Sequence, residues 1–294
     1  MVEARVCSPY THAVLQLGEI GKILAEVSRD IRTRACEVRL RRDKPVIIHL
    51  EREIVTLSHI VTSDELEECF CALCRYSVYC FENEIREGFI TLRGGHRAGF
   101  CGTAVYKDGK LVTLKNISSI NLRIAREFIG CAENLRMILR QPDFRGLLIA
   151  GRPMSAKTTL LRDLCRIISE ENKVSVIDTR GELAAVCDGC SQLSLGMNSD
   201  VLDGYSKRDG IIAAVRVLSP QFIACDEVTG EEESLEKAIL CGVKIIATVH
   251  AYSLEEALLS DIVKTGAFSH LAFADNERLG RIKTVVRIGA ENGV

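Results

Sequence analysis

The segment that most restricts this chain is Gly151-Arg152-Pro153-Met154-Ser155-Ala156-Lys157-Thr158-Thr159. It stands between a short apolar run, Leu147-Leu148-Ile149-Ala150, and a stretch presenting Leu160, Leu161, Leu164, Ile167 and Ile168 at helical spacing. A strand that enters a helix through such a turn is expected to be a phosphate-binding loop. Its backbone N–H groups and the helix N-terminus would cradle a β-phosphate, Lys157 would reach the β/γ oxygens and Thr158 would hold Mg²⁺. Position 156 departs from the motif, carrying alanine where glycine is usual. If that residue needs a positive φ, alanine costs about 1 kcal/mol or more. The plainer alternative is an ordinary strand-to-helix turn with a solvated Lys157.

The surrounding rhythm supports the phosphate loop. Val174-Ser175-Val176-Ile177-Asp178, Phe222-Ile223-Ala224-Cys225-Asp226 and Lys244-Ile245-Ile246-Ala247-Thr248-Val249 read as buried strands, with helical stretches at 209–218, 232–241 and 253–264 and a last strand from Arg281 to Ile288. Near-continuous apolar strands alternating with helices predict an α/β unit with a parallel sheet covered on both faces, whose ligands bind at the carboxyl ends of the strands. One such end is Asp226-Glu227, the arrangement in which an aspartate orients Mg²⁺ and the adjacent glutamate activates water. Two carboxylates leaving a buried strand together need a cation to meet them; the competing reading is a solvated strand end. A third end, Thr248-Val249-His250, brings a hydroxyl and an imidazole to the same place, either of which could sense a γ-phosphate. A fourth, Asp178-Thr179-Arg180-Gly181-Glu182, offers an acid for water or metal and Arg180 as a cation for phosphate charge, in this subunit or a neighbour, unless it forms a local ion pair.

Residues 1–135 read differently, as a smaller α+β domain ahead of the domain at 136–294. Val14, Leu15, Leu17, Ile20, Ile23, Leu24 and Val27 recur at helical spacing, Ser63 starts a capped helix, and Gly102–Tyr106 and Leu111–Leu114 form a hairpin through Asp108-Gly109. The chain has 294 residues with 38 Lys+Arg against 40 Asp+Glu, a near-balance that argues against a strongly basic nucleic-acid coat protein. A local cluster, Arg32, Arg34, Arg39, Arg41, Arg42 and Lys44, is interrupted by Glu37 and Asp43 and gives no strong nucleic-acid signal. The start, Met1 to Arg5, lacks the features of a signal peptide, and no window has the ~20 apolar residues of a membrane span. Thirteen cysteines include the spacings Cys71/Cys74 and Cys187/Cys190, which together could form a split zinc site. Scattered cysteines such as Cys165, Cys225 and Cys241 favour reduced structural thiols in a cytoplasmic protein.

Several segments resemble the stage III sporulation protein AA family, sporulation ATPases related to the ring ATPases of type II and type IV secretion. They are Glu37-Val38-Arg39-Leu40-Arg41, Gly94-Gly95-His96-Arg97-Ala98-Gly99, the run from Ile117 to Glu127, the phosphate loop, Asp200-Val201-Leu202-Asp203-Gly204, Leu218-Ser219-Pro220, Asp226-Glu227 and Ala247-Thr248-Val249-His250. The resemblance implies a RecA-like P-loop ATPase core behind an α+β N-terminal domain, binding ATP and Mg²⁺. It implies assembly as a ring, expected to be a hexamer. The ring would energise a secretion-like membrane complex of other stage III sporulation proteins, held peripherally at the membrane on the mother-cell side. The strand ends read above make Glu227, Lys157, His250 and Arg180 the catalytic candidates, Thr158 and Asp226 the metal pair, and Gly151 to Thr159 the nucleotide loop. Arg97, Arg123 and Arg126 are candidates, by position, to complete a neighbour's site. Departures from the family pattern gather around the nucleotide: Arg152, Met154 and Ala156 in the loop, Thr179 and Gly181 beside Asp178, and Met197-Asn198-Ser199 before Asp200. They keep open a nucleotide-binding ring component with little turnover, and a RecA-like nucleic-acid motor is a further alternative.

Overall fold

The computed structural model describes residues 8–275 and 280–288; Met1 to Arg5 lie outside them. The chain divides into two compact units, the first Met1–Arg126 together with Cys187–Gln192, the second Glu127–Val186 together with Leu193–Val294. The residues just past Arg126 are bonded into the second unit. The Gly130 and Ala132 amides donate to the buried Asp163 carboxylate at 3.1 and 2.8 Å, and Glu127 accepts from the Ser194 amide at 2.5 Å.

The first unit is built on an antiparallel sheet of six strands: β1 (Ala35–Arg41), β2 (Pro45–Leu50), β3 (Ile54–Ile60), β4 (Phe89–Thr91), β5 (Arg97–Lys107) and β6 (Lys110–Arg123), in the order β3-β2-β1-β6-β5-β4. Strand β2 alternates half-buried and buried positions, so Val46, Ile48 and Leu50 face a core closed by Tyr10, Leu17, Leu24, Leu66 and Phe70. Each fully buried leucine there contributes about 2 kcal/mol. The helical spacing from Val14 to Val27 does not give one helix. A helix at Pro9–Val14 and another at Glu19–Ala25 are separated by a short 3₁₀ turn and Gly18, whose φ of 76° no helix accommodates. The capped helix is Ser63–Leu73, with Thr62 as its cap and Glu65 completing a reciprocal capping box. The Asp108-Gly109 turn takes φ of 52° and 73°, as a tight hairpin requires.

The Gly94-Gly95-His96 segment has a packing reason. A Cβ on Gly94 would lie 2.5 Å from His12 Nδ1 and 2.8 Å from His96 Nε2, so only glycine lets the two imidazoles meet there. His96 is 1% exposed. Its Nδ1 accepts from the Ala125 amide at 3.0 Å, which leaves Nε2–H to face His12 Nδ1 at 3.1 Å. The neutral ring is thus fixed in one tautomer.

The second unit carries a seven-stranded sheet of β7 (Gly146–Gly151), β8 (Val174–Asp178), β9 (Ser199–Asp203), β10 (Phe222–Cys225), β11 (Lys244–His250), β12 (His270–Ala274) and β13 (Ile282–Arg287), ordered β13-β12-β7-β11-β10-β8-β9. All neighbours pair in parallel except β12 and β13. Strands β7, β8, β10 and β12 are buried throughout. Strands β9 and β12 escape the apolar-run criterion, β9 because it is a half-exposed edge of polar character, β12 because alanines and a histidine dilute it. The helical stretch at 209–218 is an α-helix, Lys207–Ala213, continued by a π turn, Ala214–Leu218, and stopped by Ser219 at φ 47°. The stretch at 253–264 is two helices, Leu254–Leu259 and Asp261–Lys264, parted at Ser260. Among the described residues no helix is long and apolar enough to cross a membrane.

Burial, with the neighbouring His12 imidazole adding to it, pushes His96 down to about 4 from its ordinary 6.5. Because the folded value is the lower one, His96 stays neutral in the folded protein while the unfolded chain takes up a proton below 6.5. Its contribution is complete above that pH and drains away as the pH falls toward 4. Stability measured by urea titration is expected to fall by about 2 kcal/mol through this residue between pH 7 and pH 5, and His96→Gln is expected to flatten that part of the slope. An unchanged slope in the variant would show that the ring does not titrate this way.

Candidate active site

The loop leaving β7 turns into the helix Lys157–Ile168 through Ala156, which adopts φ 63° and ψ 27°, the left-handed conformation that favours glycine. The cost anticipated for alanine at this position is therefore present, about 1 kcal/mol. Met154 shares the positive φ and is 92% exposed. Arg152 sets its guanidinium over the Tyr252 ring, 5.8 Å from the centroid. The Ser155 hydroxyl is buried with no hydrogen-bond partner among the described residues. Lys157, the first helical residue, curls back over the loop. Its Nζ donates to the Arg152 carbonyl at 2.9 Å and to His250 Nδ1 at 3.1 Å. Burial draws its pKa below the ordinary lysine value, against the opposing charges of Asp226 and Glu227. Thr159 follows on the helix, and its carbonyl accepts from the Cys131 thiol.

Strand order supplies the rest of the site. Strand β11 lies between β7 and β10, with His250 opposite Gly151, Thr248 opposite Ile149, and Ala247 opposite Cys225. Asp226, one residue past β10, accepts from Thr158 Oγ1 at 2.7 Å through Oδ2 and from Thr248 Oγ1 through Oδ1. Glu227 donates its amide to Thr248 Oγ1 at 2.8 Å and holds φ 52°, a strained value for a non-glycine residue. Its carboxylate meets Arg180 Nη1 at 2.6 Å and His250 Nε2 at 2.9 Å. Lys207 Nζ donates to its carbonyl at 2.5 Å. Burial alone would raise the Glu227 pKa, but the His250 hydrogen bond and the Arg180 charge bring it below the usual carboxylate value. Because the Lys157 ammonium can only donate, His250 Nδ1 accepts from it and Nε2–H is the side of the ring that donates to Glu227.

Asp178, at the end of β8, serves its own loop. Its carboxylate accepts from the amides of Glu182, Leu183 and Ala184 at 2.8, 3.1 and 2.8 Å. From the other side Arg162, one turn beyond Thr158, donates to the carbonyls of Leu183 and Glu182 at 2.8 and 2.6 Å. This double clamp fixes the loop that carries Arg180. Neither Arg162 nor Lys207 carries a sequence signal, because each acts through backbone carbonyls that no motif records. In the first unit, Arg126 donates to the Thr33 and Ala35 carbonyls and to Glu51. Arg123 is exposed near Glu37, and Arg97 lies over the Phe89 ring.

The donor set fits a magnesium–nucleotide complex. Thr158 and Asp226 supply one hydroxyl and one carboxylate, the partial set by which Mg²⁺ is held when phosphate and water complete its shell. Among the described residues no group of three or more His, Cys, Asp or Glu is arranged to hold a metal alone. Cys187 and Cys190 exchange backbone hydrogen bonds across a tight bridge, and burial pushes the Cys74 thiol up to about 12.

Comparison with known proteins places the chain by family and by fold. The chain is 35% identical over 243 residues to stage III sporulation protein AA of Bacillus subtilis (strain 168), covering 80% of this chain and 78% of that protein. The ATPase DotB of Yersinia pseudotuberculosis superposes with a TM-score of 0.58 at 16% identity, over 87% of this chain and 76% of that one. The pilus retraction motor PilT, solved with bound ADP, gives 0.54 at 16% identity over 81% and 74%. These structures share the fold, a RecA-like P-loop ATPase core with a parallel sheet. The family described as "Sporulation stage III, protein AA" matches residues 11–291. The chain belongs to the stage III sporulation protein AA family.

Proposed function

We propose that this chain is an ATP-binding and ATP-hydrolysing protein that works as a ring oligomer, energising a secretion-like membrane complex during endospore formation. The observation that carries the reading is the convergence of Lys157, Thr158, Asp226, Glu227 and His250 in one continuous set of hydrogen bonds. The loop amides and Lys157 bind the phosphate oxygens. Thr158 and Asp226 hold Mg²⁺, which when bound offsets the phosphate charge. Glu227 accepts the proton of the attacking water, which requires that His250 and Arg180 loosen their hold on its carboxylate. Arg180, so released, is a further cation available to the charge that develops on the transferred group. Membership of the sporulation family supports the membrane-complex role and the ring, and the fold shared with the ATPase DotB and the motor PilT supports ATP as the fuel.

A second reading, a ring component that binds nucleotide and turns it over slowly, is favoured by two observations. Glu227 is doubly engaged, and Ala156 strains the loop. One measurement separates the two: Mg²⁺-dependent phosphate release by the purified protein alongside binding of a labelled nucleotide. Lys157→Ala is expected to weaken binding by on the order of 10²-fold, because it removes the buried cation from the phosphates. Glu227→Gln is expected to keep binding and lose about 10²-fold or more in kcat. Release unaffected by either substitution would end the hydrolytic reading, and tight binding without release would select the second.

Ala156→Gly tests the loop itself. Relief of about 1 kcal/mol of left-handed strain, less the ~0.4–1 kcal/mol by which glycine's greater flexibility favours the unfolded chain, leaves a small gain of up to about 0.6 kcal/mol. The expected result is a higher denaturation midpoint with nucleotide affinity preserved or improved; a lower midpoint would mean that the alanine is not strained.

A further inference from the structure

The geometry points to Thr248 as the positioning residue of this site: one buried hydroxyl sets both the metal-binding carboxylate of Asp226 and the backbone of Glu227. The inference rests on the nucleotide reading given above and assigns to Thr248 a task distinct from sensing phosphate.

Thr248 is 0% exposed, on a strand buried on both faces. A threonine hydroxyl has one proton to give and lone pairs to receive with. The proton goes to Asp226 Oδ1, and a lone pair takes the Glu227 amide at 2.8 Å. With both functions committed to protein, the hydroxyl is poorly placed to read a ligand directly.

What it accomplishes is visible in its two partners. Asp226 has two carboxylate oxygens, and Thr248 occupies Oδ1 while Thr158 meets Oδ2. The carboxylate plane is therefore fixed from the side of β11, and the oxygen presented to the phosphate-loop helix is the one that Thr158 already faces. Glu227 sits at φ 52°, a conformation that persists only where its surroundings hold it. The bond from its amide to Thr248 is such a restraint, as is the bond from the Val228 amide to the Thr248 carbonyl at 2.9 Å. One residue of β11 thus grips the main chain on both sides of Glu227. Two positions further along the same strand, His250 holds the Glu227 carboxylate and Lys157.

The test uses the whole chain with Thr248→Val, which keeps the shape and removes the hydroxyl, and Thr248→Ser, which keeps the hydroxyl. Three quantities are measured for each: affinity for a fluorescent ATP analogue in EDTA, affinity for Mn²⁺ in the presence of a non-hydrolysable analogue by electron paramagnetic resonance, and kcat. For Thr248→Val, metal-free nucleotide affinity is expected to stay within about twofold, since Lys157 and the loop are untouched. Mn²⁺ affinity should fall by on the order of tenfold or more, as for other residues that orient metal ligands. Its kcat should fall with the misplacement of Glu227. Thr248→Ser should recover Mn²⁺ affinity and kcat to within about threefold. Wild-type Mn²⁺ affinity and kcat in the valine variant would overturn the inference, as would a serine variant as impaired as the valine one, which would assign the role to packing of the methyl group. A wild-type protein that binds no nucleotide would instead overturn the functional reading, and this inference with it.

Discussion

Everything at the candidate site depends on the register of three adjacent parallel strands. Strand β11 lies between the strand that feeds the phosphate loop and the strand that ends in Asp226-Glu227, and it reaches one residue level with Gly151. In a pleated sheet a slip of one residue would turn Thr248 and His250 to the opposite face. Neither the hydroxyl that fixes Asp226 nor the imidazole that joins Lys157 to Glu227 would then arrive. The interlocking of buried residues on both sides of the sheet, Leu148, Ala247 and Cys225 against one layer and Ile149, Ile246 and Ala224 against the other, excludes that slip. Hydrophobic packing is thus what sets the polar geometry.

The site also holds its backbone in uncommon conformations. Ala156 and Glu227 both hold positive φ without being glycine. Such conformations persist because neighbouring contacts over-determine them. For Glu227 those contacts come from Thr248, Lys207, Arg180 and His250. The proposed activity would use the same contacts, since a phosphate oxygen that draws Lys157 away from His250 alters what His250 offers to Glu227.

Much of this was legible in the sequence because it is written in local order. A strand, a turn with Lys157-Thr158 and a helix are contiguous, and Asp226-Glu227 and Thr248-Val249-His250 each end an apolar run. Such patterns predict that groups gather at the carboxyl edge of a sheet, but not which atom meets which. Asp178 illustrates the gap: read as an acid available to water or metal, it caps its own loop through three amides, a use that depends on the path of residues 179–184. Arg162 was invisible for the same reason. Periodicity misled at 14–27, where apolar spacing continues across Gly18 although the backbone turns there, and it overlooked β9, whose exposed edge leaves no continuous apolar run.

Neither unit is a contiguous stretch of chain, because Cys187–Gln192 groups with Met1–Arg126 and so interrupts the sequence of the other unit between Val186 and Leu193. Asp188 answers Arg75 at 2.6 Å, and Gln192 accepts from the Gly94 amide at 2.8 Å. No single truncation can therefore yield the amino-terminal unit whole. A fragment ending at Arg126 would leave Arg75 without its acid and the Gly94 turn without its side-chain acceptor, so dissecting this protein calls for a grafted or permuted chain rather than a simple cut.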